Sequence, residues 1–411
     1  MQKMKYSGVE WIGDIPENWE IVRGRNLYSI STGKRDSGEY SDDGNYPFFT
    51  CSTEIKKIDS FCFDGEVLLI SGNGMVGYTR YYNGKFDAYQ RTYYLHNFDY
   101  DAVNINYLKY YVSELLVACL KNKYVGSVID FIKLGDLKDF SIAFPNLDHQ
   151  HQIADFLDDK CGKIDRYIEK QQQIIDKLKE YKQAVITEAV TKGLNPDVPM
   201  KDSGIEWIGM IPEHWKIPEI KYLVRIASGG TPDRNHPEYW NGNIPWIKTG
   251  ELQNDIITNA EEYITEEGLN NSSAQIFNIN TILVAMYGQG KTRGMTALLK
   301  ATASTNQACA GLTVTNSNVH IEYLWQCLIG AYNAIRSEAA GSGQPNLSAT
   351  LIGNFHIALP PIEEQGLIVE YIKCRTAEIK SAIYKAEKLL EKLTEYKKSL
   401  IYEAVTGKLE V

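Results

Sequence analysis

Apolar positions follow two alternating regimes along this chain. From residue 1 to 142, and again from 201 to 357, short apolar runs sit between clusters of Gly, Asn, Asp and Pro. EVLLI, TRYY, RTYYLHN, NTILVAM and GLTVT read as strands separated by turns. Each of these regions also carries one amphipathic helix. Ile105, Leu108, Val112, Leu115 and Cys119 share a face of the first, and Ile321, Leu324, Leu328 and Ile335 a face of the second. Regions 143–200 and 358–411 are different. After a proline, Asp148 or Glu363 opens a pattern rich in Lys, Glu and Gln. Ile164, Ile168, Ile175, Leu178 and Val185 step by 3, 4 or 7, as do Ile379, Ile383, Leu390, Leu393 and Leu400. That is a narrow apolar seam on a long helix, close to coiled-coil spacing. A helix of about 28 residues reaches roughly 42 Å. It cannot hide the seam alone, and the economical partner is the other copy. Antiparallel pairing is the easier closure, because a compact domain separates the copies, and it gives pseudo-twofold symmetry. The expected fold is α+β: two α/β domains separated by two long helices that pair as an antiparallel coiled coil.

The alternation reflects a tandem duplication. SGVEWIGDIPENWE (7–20) returns as SGIEWIGMIPEHWK (203–216), an offset of 196. AFPNLDHQHQIADF, from Ala143, returns as ALPPIEEQGLIVEY, from Ala358, an offset of 215. From 143–194 against 358–409, 18 of 52 positions are identical without a gap, so the helical regions are the similar pair. Between these anchors the halves diverge but keep landmarks. Gly33 matches Gly229, LLISGNG matches LVAMYGQG, and Gln90 matches Gln307. Trp11, Trp19, Trp207 and Trp215 recur with the repeat and read as packing anchors.

Composition then narrows the function. No stretch approaches 18 uncharged apolar residues, and MQKMKYSGVEW lacks the apolar core of a signal peptide. Seven cysteines without CxxC spacing point to a reducing cytosol with neither a disulfide framework nor a zinc site. The 27 tyrosines suit either a recognition surface or β-rich structure. Net charge of −9 argues against a free-standing nucleic-acid binder unless positive charge is segregated or a partner supplies it.

No catalytic constellation emerges. TILVAMYGQGKT (281–292) imitates a phosphate loop, but Ala285 stands where the pattern requires glycine, and RGMTALLK opens a poor helix. The methyltransferase Asn/Asp-Pro-Pro-aromatic motif is absent. The E-x-K triplets at Glu54, Glu219 and Glu378 lack the acidic pair of a nuclease, and the seven histidines are scattered. The remaining clusters suit recognition. Lys34, Arg35, Asn73, Tyr78, Arg80, Gln90 and Arg91 gather around a glycine-rich hairpin region in the first half. Thr231, Arg234, Gln289, Lys291, Arg293, Asn306 and Gln307 are their counterparts in the second. Arg reads guanine and Asn or Gln reads adenine in the major groove, while Lys and Tyr hold phosphates. Each residue singly is also an ordinary polar loop residue; recurrence at equivalent places favours recognition.

With these residues in hand, the chain resembles the specificity subunit of Type I restriction–modification systems over nearly its whole length. IASGGTPDRNHPEYWNGNIPWIKTGEL (226–252) is similar to the start of a target-recognition domain in that family, and GSGQPNLSATLIGNFHIALPPIEEQ (341–365) to the end of one. The resemblance adds Ser342 and Gln344 as DNA-contact candidates. The first half has Gly126-Ser127-Val128 there and lacks the glutamine. The family implies target-recognition domains at 1–142 and 201–357, and conserved helical spacers at 143–200 and 358–411. It implies a non-catalytic subunit that reads a bipartite, asymmetric duplex DNA target. Two methyltransferase subunits would dock on it, carrying S-adenosylmethionine for adenine methylation. Restriction subunits would supply ATP- and Mg-dependent cleavage, all in a prokaryotic cytoplasm. Modules about 40 Å apart suit half-sites one turn of DNA apart, roughly 34–36 Å. The open alternatives are a specificity subunit of another restriction–modification type, a fused enzyme, and a coiled-coil scaffold with protein-binding domains.

Overall fold

A computed structural model describes residues 3–123, 131–288, 290–338 and 346–411. The chain forms two compact units, 1–172 with 387–411, and 173–386. Both mix helix and sheet. Two helices, Leu147–Lys192 and Ile362–Val405, contribute one segment to each unit, in opposite order.

In the first unit a six-stranded sheet runs in the order Ser29–Thr32, Thr92–His96, Phe63–Ser71, Thr79–Ala88, Tyr46–Phe49, Ile55–Ile58. Only the Tyr46–Phe49 to Thr79–Ala88 pairing is parallel. The second unit keeps the first four positions of that order in Val224–Ser228, Cys309–Val314, Ile282–Ala285 and Thr296–Leu299. There the long strand Thr79–Ala88 is split in two, Thr296–Leu299 and Ser304–Thr305. Trp240–Ile247 pairs in parallel with Ser304–Thr305, as Tyr46–Phe49 does with Thr79–Ala88. A further strand, Asp255–Ile257, pairs in parallel with Thr296–Leu299.

The helical regions exceed the length read from the seam, reaching 46 and 44 residues. The extra turns lie at the N-terminal ends, where Ile153, Leu157 and Cys161, or Ile368 and Ile372, enter the cores of the units. Of the ten seam residues, Ile164, Ile175, Val185, Ile379 and Leu400 are buried, and Ile168, Leu178, Ile383, Leu390 and Leu393 half-buried. The second amphipathic helix is also shorter than its apolar pattern. It breaks into Ile321–Gly330 and Tyr332–Ser337. The carbonyls of Ile329 and Gly330 are taken by Gln183 Nε2 at 2.9 and 3.1 Å, and Thr187 Oγ1 also donates to Gly330 at 3.0 Å. Carbonyls satisfied from outside have no need of a continuing helix.

The repeated leading motif seats the end of a long helix. Gly193, at φ +74°, ends the first helix, and a Cβ there would stand 3.0 Å from the Trp215 ring. Gly407, at φ +70°, ends the second, with Pro16 at 2.5 Å and Trp19 at 3.1 Å from the same notional atom. Trp19 and Trp215 are fully buried, and Trp11 and Trp207 stack on Phe140 and Phe355 at 5.4 Å. Tyr107 Oη donates to the carbonyls of Ala143 and Val405, and Tyr323 Oη to those of Ala358 and Val190. Gln150 and Gln365 each donate to two carbonyls and accept one backbone N–H. Each such network closes a helix end against a sheet domain with its polar groups satisfied.

One member of the pair is incomplete. Trp215 Nε1 donates to Glu364 at 3.0 Å. Its counterpart, Trp19 Nε1, is buried without a partner among the described residues, because His149 stands where Glu364 would and meets the ring edge-on at 5.4 Å. Burial holds the His149 pKa below its ordinary 6.5. The unfolded chain therefore binds this proton first, so stability from this site is full above pH 6.5 and falls on acidification. His149→Glu should raise the melting temperature of the first unit, by about 1 kcal/mol of stability for the added hydrogen bond. A lower melting temperature at pH 7.5 would count against this account.

Candidate nucleic-acid interface

In the first unit, four loops meet where strands Ser29–Thr32 and Phe63–Ser71 end and Thr92–His96 begins. Backbone bonds tie them together. Gly72 N donates to Arg91 O at 2.9 Å, Gln90 N to Arg35 O at 2.9 Å, Tyr89 N to Phe49 O at 2.9 Å and Gly33 N to Thr92 O at 3.2 Å. Gly33 permits the closest approach, since a Cβ there would sit 1.8 Å from the Ala88 carbonyl oxygen.

The seven candidates of this half all lie on or beside these loops, but they are not alike. Arg35 is engaged, 3.5 Å from buried Asp87 and 3.2 Å from Glu39, with Ser60 at 3.1 Å. Arg80 donates to Thr53 O at 2.6 Å and to Tyr78 Oη at 3.3 Å, over the rings of Phe49 and Tyr78. Gln90 Nε2 donates to Asp36 at 3.1 Å. Asn73 is half-buried and its backbone bridges to Phe131. Lys34 and Arg91 are exposed, and among the described residues their side chains have neither a hydrogen bond nor an ion pair. They are the cations free to meet a ligand.

The second unit repeats this arrangement with different chemistry. Gly229 N donates to Cys309 O, and Gly230 N to Thr305 O. A Cβ on Gly229 would lie 2.1 Å from Thr305 Oγ1 and 2.4 Å from Asn306 O. Thr231 Oγ1 donates to Gln307 Oε1, so in both halves the loop glutamine is tied to the loop after the first sheet strand. Arg234 lies 3.6 Å over Trp240 and pairs with Glu262 at 2.7 Å. That pairing holds the Glu262 carboxyl below the ordinary carboxylate range, Arg234 contributing most and Lys248 further. Asn306 is half-buried, and among the described residues its Oδ1 is unpartnered. The side chain of Lys291 is exposed, while its carbonyl accepts Tyr332 Oη at 2.6 Å, and the Arg293 carbonyl accepts Arg336 at 2.7 Å. Gln289, Ser342 and Gln344 lie outside the described residues. The phosphate-loop imitation resolves plainly: strand Ile282–Ala285 is followed by strand Thr296–Leu299, so the turn does not lead into the helix that a phosphate loop requires.

Two features escaped sequence reasoning. Tyr287, 42% exposed, shares an open cavity of about 610 Å³ with Ser228, Gln307 and Ser348. An aromatic before the glycine turn was its only signal. The loop after Phe49 brings Cys51 Sγ within 3.3 Å of the Arg91 carbonyl. No local signal exists for it, because parallel pairing with a strand some 40 residues later places it. Among the described residues no three His, Cys, Asp or Glu side chains gather as a metal site requires, and no helix is long and apolar enough to cross a membrane.

The family model for the Type I restriction modification DNA specificity domain matches twice, at residues 16–180 and 212–388. The chain belongs to this family. The Type I restriction enzyme EcoDI specificity subunit of Escherichia coli is 25% identical, over 97% of this chain and 90% of its own length. The MjaVIII specificity subunit of Methanocaldococcus jannaschii is 23% identical, over 97% and 94%. A solved structure from work on complex assembly and conformational transition of the type I R-M system shares the fold, with a TM-score of 0.70 at 12% identity, over 96% of this chain and 99% of that one. The two family matches coincide with the internal duplication, so this Type I specificity chain carries the family's domain twice.

Proposed function

We propose that this specificity chain is the DNA-reading subunit of a Type I complex, each unit reading one half of a bipartite, asymmetric target. One observation carries the reading: equivalent loops on a duplicated fold present different side chains. Lys34 and Arg91 lead in the first unit; Lys291, Asn306, Gln307 and Tyr287 lead in the second. Arg91 suits guanine, and the amides of Asn306 and of Gln307, the latter held by Thr231, suit adenine. The chain itself performs no chemistry in this scheme. Two adenine methyltransferase subunits bring S-adenosylmethionine, and a restriction subunit brings ATP and Mg. Co-expression with its methyltransferase, followed by mapping of methylated adenines, should return two short defined sequences around an undefined spacer. A palindromic or unsplit motif would sink the reading. Arg91→Ala should weaken target binding about tenfold and leave non-specific binding nearly unchanged. A uniform loss across sequences would make Arg91 a phosphate contact instead.

The methyltransferase subunits are proposed to dock on the long helices. Ile174 and Tyr181 are exposed in the second unit, 44% and 49%. Their counterparts at offset 215, Leu389 and Tyr396, are exposed in the first, 44% and 58%. Apolar side chains seven residues apart on a solvent face suit a partner helix. Ile174→Asp with Tyr181→Asp should reduce the methyltransferase-to-chain ratio on co-purification from two to one. An unchanged ratio would remove this face from consideration.

A further inference from the structure

The two copies of the long helix carry opposite charge at one place. In the first unit Lys397 Nζ meets both oxygens of Asp165, at 2.6 and 2.7 Å. Beside it, Asp158 accepts Tyr110 Oη at 2.6 Å and lies 3.6 Å from Lys109. Offset 215 maps Asp165 onto Lys380, Lys397 onto Lys182 and Asp158 onto Lys373. Offset 216, anchored by the matching bonds of Tyr107 and Tyr323, maps Tyr110 onto Gln326. Two aspartates of the first unit are thus lysines in the second, and the ion pair has become a pair of like charges.

These residues wall a cavity of about 460 Å³. Its lining includes Lys179, Lys182, Lys373 and Lys380 against two carboxylates, Asp255 and Glu322. Glu322 is already engaged by Lys373 at 2.7 Å and Lys300 at 3.4 Å. Asp255 accepts the Ile256 N–H at 3.0 Å and lies 3.8 Å from Lys380. Burial, and then the charge of Lys380, hold the Lys182 ammonium below the ordinary lysine range, with Asp255 opposing. Gln326 is 8% exposed, and among the described residues its Oε1 has no hydrogen-bond partner. A buried amide left so costs about 1–3 kcal/mol. The unpartnered Oε1 calls for a donor and the crowded cations for an anion; one oxyanion answers both once the amide is turned end for end, its N–H towards the anion.

We propose that this cavity is a binding site for a phosphate-class oxyanion, held by Lys182, Lys380 and the Gln326 amide. A phosphate group brings two negative charges and several acceptor oxygens, which matches two ammonium groups and an amide N–H better than a carboxylate does. The amide presents its N–H after an end-for-end flip. In the first unit the Asp165–Lys397 ion pair stands at the same place, so a carboxylate replaces one of the two cations there. The phosphate is either free or part of a nucleic-acid backbone.

Calorimetric titration of the whole chain, without partner subunits, distinguishes these. One arm uses inorganic phosphate at constant ionic strength; the other uses a short duplex lacking the target. Lys380→Asp rebuilds the first unit's Asp–Lys pair, so the fold is kept and the melting temperature should rise. Phosphate binding should fall at least tenfold in Lys380→Asp and in Gln326→Leu, and stay unchanged in Lys397→Met. If only the duplex responds, and loses affinity in Lys380→Asp, the anion is a backbone phosphate. If neither ligand's affinity differs between wild type and Lys380→Asp, the site is wrong. The phosphate arm stands independently of whether the chain reads DNA.

Discussion

Trp215→Ala is expected to destabilise the second unit by about 3–5 kcal/mol. The indole is 1% exposed and packs against the helix-ending Gly193, and its Nε1 is hydrogen-bonded to Glu364. Removal leaves a large cavity at the point where helix, leading motif and sheet domain join, and takes one of Glu364's partners while His214 stays at 2.7 Å. Trp19→Ala should cost slightly less in the first unit, because Trp19 Nε1 has no hydrogen bond to lose. The check is differential scanning calorimetry of the full chain. Trp215→Ala should lower one transition by more than 10 °C and leave the other in place. Equal lowering of both by either variant would show that the units do not unfold separately.

Gly229→Ala is expected to abolish recognition of one half-site while the fold survives. The added Cβ meets Thr305 Oγ1 at 2.1 Å and the carbonyls of Thr305 and Asn306 at 2.3 and 2.4 Å. Backbone cannot yield as a side-chain tip does, so the loop carrying Thr231 must move away from Gln307. Displacing Thr231 and Gln307, the two groups proposed here to read bases, at about 1–3 kcal/mol each predicts a loss of target affinity near a hundredfold. Non-specific binding depends on phosphate charge, and should change less than twofold. Gly33→Ala should act likewise on the other half-site, with its Cβ 1.8 Å from Ala88 O. Paired binding curves on target and scrambled duplexes test both. Equal losses on the two duplexes would mean a damaged fold rather than displaced readers.

Much of this was legible in the residues. The 196- and 215-residue offsets established two copies of one domain, and the seam established long helices, because a period near 3.5 buries one face whatever the partner. The repeated tryptophans read as anchors because no other use suits so large an apolar ring beside an Ile-Pro turn. Three-dimensional contacts decided the rest. Arg35 and Arg91 look equivalent in the sequence, yet Asp87, 52 residues after Arg35, engages one and leaves the other exposed. The break after Gly330 could not be foreseen, since the groups that cap it, Gln183 and Thr187, lie more than 140 residues away. Lys182 and Lys380 are unremarkable helix lysines until packing sets them at one cavity. Sequence patterns report what each segment must bury. Which charge meets which depends on long-range pairing, and that exists only in the folded chain.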